Sequence, residues 1–129
     1  MREIKFRAWN KDSNKMFSAE EMGEDELTIN PDGRGFVNVN SISPKLSQYY
    51  AHMIPLQFTG IYDKDDKEIY EGDIIKTPTG SGVVFNRLGC WFVEHQQELG
   101  YFVKDNIAVI GNKYHNPNVL NWFFLVKTF

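Results

Sequence analysis

Residues 56–76 read LQFTGIYDKDDKEIYEGDIIK, and this stretch decides the fold. Two short apolar runs flank a turn of five charged residues, Asp63 to Lys67, which is the pattern of a β-hairpin. The second run breaks at Glu71-Gly72-Asp73 and resumes at Ile74-Ile75. A glycine inside such a run is typical of a bend at a barrel corner. The stretch therefore predicts antiparallel β-structure, and it contains no recognisable chemistry.

The composition is that of a soluble globular protein. The chain has 129 residues, of which 42% are hydrophobic and 24% charged, and its net charge is −3. A chain of this length can bury about two thirds of its unfolded surface without needing disulfides or metal. Its single cysteine, Cys90, excludes an intrachain disulfide and fits a reducing compartment. With neither a signal peptide nor a membrane-length apolar run in the sequence, we expect a cytoplasmic protein and no membrane partner.

Residues 1–54 are predicted to form an N-terminal hairpin, an acidic loop and a short helix. Apolar and charged residues alternate from Ile4 to Trp9, and turn residues then precede Met16-Phe17, which together indicate a hairpin. Ser18 and Glu21 have the spacing of a helix capping box, although Gly23 limits that helix to about one turn. Residues 23–35 have the composition of a mobile loop. A helix is predicted from about Pro44 to Tyr50.

Residues 55–129 are predicted to form an SH3-like small β-barrel with an extra C-terminal strand, and to make one compact unit with the N-terminal part. Short runs rich in β-branched and aromatic residues recur about every ten residues, which favours a small barrel. Residues 101–103 (YFV) are predicted to form one of these strands. The apolar tail, residues 122–129, must be covered, either as a barrel strand or in a subunit interface. The fold class is therefore mainly β (α+β).

Three blocks of the chain resemble the YopX family of phage and prophage proteins. The blocks are residues 2–9 (REIKFRAW) with 15–16 (KM), residues 57–60 (QFTG) with 63–64 (DK) and 67–75 (KEIYEGDII), and residues 109–112 (VIGN) with 116–117 (NP). The resemblance implies an SH3-like barrel with extra α and β elements, oligomeric assembly and an unknown biochemical function. It provides no catalytic, cofactor-binding or metal-binding residue to transfer. Residues 18–53 and the tail match the family pattern least.

Several patterns suggest ion binding but fail on spacing. Asp63, Asp65, Asp66 and Glu68 resemble a calcium loop, yet the glycine and glutamate that an EF-hand requires at its sixth and twelfth positions are missing. The three histidines, His52, His95 and His115, do not pair with one another or with Cys90 at a metal-ligand spacing. We therefore predict no metal and no cofactor.

Other patterns favour structure over catalysis. Cys90 is predicted to be a small buried residue at the start of a strand. Residues 79–82 (TGSG) resemble a phosphate loop in composition, but a strand follows them, so they predict a hairpin turn. Glu71 and Asp73 could form an acid–base pair, but the intervening Gly72 favours a structural bend.

Aromatic residues and a basic first strand leave nucleic-acid binding open. Arg2, Lys5 and Arg7 make the first strand basic, while an acidic loop follows it. The bases of a nucleic acid could stack on exposed aromatic rings beside arginines, although core packing is the simpler role for these rings. The residues concerned are Tyr49, Tyr50, Trp91, Tyr101, Phe102 and Trp122, with Arg7, Arg34 and Arg87.

Three functional hypotheses follow. The first is a non-enzymatic, homo-oligomeric protein-interaction module of a phage or prophage, with a host or phage protein as its partner. The second is a nucleic-acid-binding accessory protein, whose affinity would fall steeply with salt. The third, an enzyme, lacks a visible nucleophile–base pair, metal set or cofactor loop.

Overall fold

The computed structural model describes residues 3–30, 33–38, 49–50 and 52–116, with only the backbone at 49–50. These residues are mainly β with a curled antiparallel sheet, which confirms the predicted fold class at that level. The chain divides into two compact units. We call Ile4–Gln57 the first unit, and Met1–Glu3 with Phe58–Phe129 the second unit. No helix in the described ranges is long and apolar enough to cross a membrane.

The first unit consists of short strands and one helix. In chain order these are β1 (Phe6–Asn10), β2 (Lys15–Phe17), α1 (Ala19–Glu24), β3 (Leu27–Ile29), β4 (Phe36–Asn38), β5 (Tyr49–Tyr50) and the start of β6 (Met53–Tyr62). β1 lies between β2 and β6, and β4 lies between β3 and β5; all four pairings are antiparallel. Its buried core is formed by Ala8, Met22, Phe36 and Met53.

Local hydrogen bonds explain how the first unit begins. The Asn10 side-chain oxygen accepts from the backbone N–H groups of Asp12 and Ser13 at 3.0 and 3.1 Å, which closes the predicted β1–β2 turn. The predicted capping box is also present. Glu21 N–H donates to Ser18 Oγ at 3.1 Å, and Ser18 N–H donates to Glu21 Oε1 at 3.3 Å. Both features were predictable because they form within a few residues of sequence.

Two predictions for the first unit need correction. The predicted loop over residues 23–35 contains strand β3, which pairs with β4. The helix predicted from Pro44 to Tyr50 falls largely outside the described residues, and its last two residues form strand β5 instead. A helix this short has little intrinsic stability, so pairing with β4 outweighs the helical pattern there.

The second unit is built on a strand meander. Its elements are the end of β6, then β7 (Glu68–Tyr70), β8 (Asp73–Thr77), β9 (Gly80–Arg87), β10 (Cys90–Val93), two 3₁₀ helices (Leu99–Tyr101 and Lys104–Asn106) and β11 (Ala108–Asn112). β7 pairs with β6. β8, β9 and β10 follow one another, and β11 then returns to the free edge of β8. The core comprises Ile69, Ile75, Val84, Val93, Leu99 and Ile107.

The strand predicted over residues 101–103 is wrong. The chain between β10 and β11 instead forms the two 3₁₀ helices, because it has to cross from one edge of the four-stranded sheet to the other. Leu99 and Ile107, at the two ends of this crossing, are 0% and 1% exposed. The predicted role of the tail, residues 122–129, falls outside the described residues.

Gly72 forms the corner between β7 and β8. Its N–H donates to the carbonyl of Val84, and its own carbonyl accepts from Lys113 N–H, both at 2.9 Å. Its φ is +86°, and an added Cβ would lie 3.1 Å from the Tyr114 ring. The adjacent Asp73 is buried and accepts from Tyr70 N–H at 2.8 Å. The predicted bend at Glu71-Gly72-Asp73 is therefore confirmed, with Asp73 in a structural role.

Asp63 joins the charged turn to the last described strand. Its carboxylate is 1% exposed. Oδ1 accepts from the N–H groups of Asp65 and Lys67, and Oδ2 accepts from Val109 N–H in β11, each at 2.9 Å. Burial opposes ionisation of this carboxyl, but the hydrogen bonds from Val109, Lys67 and Asp65 outweigh it and lower the pKa of Asp63 below its ordinary 3.8. The charged turn is therefore fixed from within.

Asp63→Asn tests this interaction. The amide would retain one acceptor and would place a second donor against a backbone N–H, so we expect a loss of about 3 kcal/mol in the free energy of unfolding at neutral pH. Because folding lowers the pKa of Asp63, its contribution is complete well above pH 3.8 and is lost as the pH falls through the folded-state pKa. The difference between the two proteins should therefore shrink in acid, as measured by urea denaturation over a pH series.

Asp65→Asn is the matched control, because that side chain is exposed and only its backbone N–H is used in the turn. It should change the free energy of unfolding by less than about 0.5 kcal/mol. If the free energies of unfolding of wild type and Asp63→Asn differed by the same amount at neutral and acid pH, that result would contradict the role of Asp63 as a buried, ionised carboxylate.

Gly72→Ala tests the corner. An alanine at φ +86° is strained and must displace the edge of the Tyr114 ring, so we expect a loss of about 1–2 kcal/mol. Gly100→Ala is the control, since no atom lies within 4 Å of its added Cβ and its φ is not positive. The measurement is the melting temperature of each variant in thermal unfolding. If Gly72→Ala melted at the same temperature as Gly100→Ala, the corner would not depend on glycine.

Candidate interaction surface

The charged turn and the 3₁₀ crossing lie against each other in the second unit. Lys64 N–H donates to the Ile107 carbonyl at 3.0 Å, and the Lys104 ammonium forms an ion pair with Asp66. Hydrogen bonding to Asp66 raises the pKa of Lys104. Together with the hydrogen bond from Val109 N–H to Asp63, these contacts hold the charged turn against the 3₁₀ crossing and β11. They define one face of the second unit.

Two apolar side chains project from this face. Tyr101 is 70% exposed and Val103 63% exposed, while Phe102 between them packs against the buried core. The Tyr101 and Phe102 rings meet edge to face, with their centroids 5.6 Å apart. We call Tyr101, Val103 and the Asp66–Lys104 pair the candidate interaction surface. The segment that carries Tyr101 and Val103 is anchored at its two ends by buried Leu99 and Ile107.

The rim of the candidate interaction surface has mixed charge. All the charged side chains around it are exposed except Asp63. The exposed acids are Asp65, Asp66 and Asp105, and the exposed bases are Lys64, Lys67 and Lys104. Such a rim can orient a partner without adding much affinity.

The turn acids do not form an ion-binding loop in this arrangement. Asp63 directs its oxygens to backbone N–H groups, and Asp66 pairs with Lys104. Within the described residues no three His, Cys, Asp or Glu side chains are grouped so that they could hold a metal ion.

The sequence candidates His95, His115 and Cys90 contact residues outside the candidate interaction surface. His95 is exposed, with its Nε2 3.9 Å from the Glu94 carboxylate, and His115 donates its N–H to the Asn112 side chain. The prediction that Cys90 is buried is wrong, because its side chain is exposed at the start of β10. A hydrogen bond with Glu98 raises the pKa of the Cys90 thiol.

The sequence TGSG at residues 79–82 belongs to the β8–β9 hairpin, as predicted. Thr79 Oγ1 donates to Gln96 Oε1 at 2.7 Å, and Thr77 contacts the same oxygen, so this hairpin is tied to the turn after β10. A cavity of about 350 Å³ lies beside them, lined by Thr79, His95, Gln96 and Gln97. Within the described residues, the buried Gln96 Nε2 beside this cavity has no hydrogen-bond partner.

The aromatic residues suggested for base stacking are divided between core and surface. Trp91 and Phe102 pack against the core of the second unit, whereas Tyr101 is exposed. The side chains of Tyr49 and Tyr50, and all of Trp122, lie outside the described residues. In the basic first strand, the Lys5 ammonium lies 3.7 Å from the Glu20 carboxylate.

The first unit contains a second cavity of about 350 Å³, which the sequence did not predict. Its apolar lining is Phe17, Leu27 and Met53. Its polar lining is Asn10, Asp25, Asn38 and His52. These residues come from the ends of separate elements, so no spacing along the chain reveals them.

Comparison with known proteins places this fold in a family. One solved structure, "Crystal structure of protein EF1440 from Enterococcus faecalis", has a TM-score of 0.66 and 23% identity, and the match covers 93% of this chain and 99% of that one. At this identity the likeness shows a shared fold. No curated protein matches the chain. A family model described as YopX protein matches residues 5–121. Because that match spans most of its length, the chain belongs to the YopX family.

Proposed function

We propose that this YopX-family protein is a non-enzymatic protein-interaction module, a phage or prophage accessory protein that acts as a homo-oligomer in the host cytoplasm. The observation that carries the proposal is the pair Tyr101 and Val103, 70% and 63% exposed on a segment whose two ends are buried. The partner we propose is a host or phage protein segment with apolar side chains.

The exposure of these side chains supports a binding role. Apolar side chains exposed singly are ordinary on protein surfaces, whereas grouped ones commonly mark binding sites. Tyrosine is also enriched among the residues that contribute most to protein interfaces. The segment keeps its shape through Leu99, Phe102 and Ile107, so a partner would not have to order it on binding.

The topology supports an SH3-like small barrel as the finer description of the second unit. A three-stranded meander leads through 3₁₀ helices to a last strand that returns to the first strand of the meander. The Gly72 corner bonds both to β9 and to the residue after β11, which helps to curl the sheet. Barrels of this kind bind peptides along grooves formed by aromatic residues and loops.

The side-chain chemistry supports a non-enzymatic role. Asp73, which the sequence had suggested as an acid–base partner of Glu71, and Asp63, from the calcium-loop pattern, are both buried and accept hydrogen bonds from backbone N–H groups. In these hydrogen bonds the partners of both carboxylates are backbone groups, and none is a histidine or a nucleophilic side chain. The alternative, nucleic-acid binding, has weaker support because Lys5 of the basic first strand is beside Glu20.

A crosslinking experiment tests the proposal. A photoreactive phenylalanine derivative replaces Tyr101, and illumination in infected or lysogenic host cells should yield a discrete covalent adduct with another protein. The same substitution at Leu88 is the control, because that side chain is 94% exposed on the turn between β9 and β10. It should yield no such adduct.

Affinity measurement with the identified partner completes the test. The double variant Tyr101→Ser, Val103→Ser should bind at least tenfold more weakly, a loss of about 1.4 kcal/mol or more, whereas Leu88→Ser should bind normally. Light scattering on the same variants shows whether the partner is a second copy of the chain. If positions 101 and 88 gave the same adducts, or if the double variant bound its partner like wild type, the proposal would be rejected.

A further inference from the structure

The cavity of the first unit is lined by both apolar and polar residues. Met53, at the start of β6, is 3% exposed and contributes to the apolar lining with Phe17 and Leu27. Asn10 ends β1, and Asp25 follows α1 as its C-cap. A volume of about 350 Å³ is within the range of small-molecule sites and is sufficient for a flat heterocycle with a sugar attached.

Asp25 gives this cavity an anionic acceptor. Its side chain is exposed, and its backbone N–H is used in capping α1. Within the described part of the chain, its carboxylate forms no hydrogen bond or ion pair. Its two oxygens can therefore accept from two parallel N–H donors of a ligand, which is the strong bidentate arrangement.

Asn10 gives the cavity a donor in a fixed orientation. Its side-chain oxygen accepts from the backbone N–H groups of Asp12 and Ser13 at 3.0 and 3.1 Å. Only the oxygen of a carboxamide can accept these bonds, so the opposite atom is the NH₂ group. The Asn10 side chain therefore offers N–H donors to a ligand, whereas Asp25 offers only acceptors.

We propose that this cavity binds a guanine base. Guanine is planar and presents two adjacent N–H donors, N1–H and the 2-amino group, which match a carboxylate. The same edge continues into the O6 acceptor, which suits a carboxamide donor. The ring faces would lie against Phe17, Leu27 and Met53. This inference concerns the first unit and is independent of the proposed interaction surface in the second.

Charge indicates which form of guanine would bind. Asp25 lines the cavity, and further exposed acids flank it along the chain: Glu20, Glu21 and Glu24 in α1, and Glu26 after it. A phosphate placed beside these carboxylates would be repelled. The expected ligand is therefore guanosine or a free base, bound more tightly than guanosine monophosphate or a guanine-containing oligonucleotide.

Titration of the full chain, followed by amide NMR shifts, tests the proposal. Guanosine should bind with a dissociation constant on the order of 0.1 mM and shift the amides of residues 10, 17, 25, 27 and 53. Inosine, which lacks the 2-amino group, should bind at least tenfold more weakly, and adenosine should not compete. Guanosine monophosphate and a short guanine-containing oligonucleotide show whether phosphate weakens binding.

Asp25→Asn provides the decisive variant, because it keeps the shape of an exposed side chain and removes one acceptor. It should weaken guanosine binding at least tenfold and abolish the preference for guanosine over inosine. Glu24→Gln is the matched control and should leave both affinities unchanged. The proposal is overturned if millimolar guanosine shifts no cavity amide, if guanosine and inosine bind equally, or if Asp25→Asn binds guanosine like wild type.

Discussion

The buried carboxylate of Asp63 holds together two parts of the chain that are 46 residues apart. It accepts two N–H groups from its own turn and a third from Val109 in β11. An isolated buried carboxylate would be costly, but these three bonds keep it ionised and lower its pKa. The third bond also occupies a backbone donor on β11, so that group is unavailable for pairing with another chain. One side chain thus stabilises the turn and protects the sheet.

The same interaction positions the candidate interaction surface. Since Asp63 holds the charged turn against β11, Lys64 can bond to the Ile107 carbonyl and Asp66 can pair with Lys104. The 3₁₀ crossing is then held between that turn and the core, with Tyr101 and Val103 left outside. Stability and the proposed binding role therefore depend on the same contacts.

The two units use their polar residues differently. In the second unit, Asp63 and Asp73 are buried and bonded to backbone N–H groups, so they shape turns and are not available to ligands. In the first unit, Asn10 and Asp25 stand at the ends of short elements around a cavity. Short strands around a small core leave such a space at their ends. The two proposals concern different surfaces, one in each unit, and each has its own test.

The sequence by itself determined the features that form within a few residues. The β1–β2 hairpin, the Ser18–Glu21 capping box, the turn from Asp63 to Lys67 and the Gly72 bend were all predicted, because each depends on local spacing and backbone preference. The YopX family was also identified from sequence, and its match over residues 5–121 confirms it. The mainly β class follows from the same local patterns.

Only the tertiary structure decided the features that depend on distant neighbours. Residues 101–103 have the aromatic and β-branched composition of a strand, yet they form part of a 3₁₀ crossing because β10 and β11 lie at opposite edges of one sheet. Cysteine is a residue type typical of protein cores, but Cys90 is exposed. Strand β3 forms within a segment that has the composition of a loop, because β4 is there to pair with it. The third bond of Asp63 and the cavity around Asp25 have the same origin. Each joins residues far apart in sequence, and local propensity contains no information about which of them will meet.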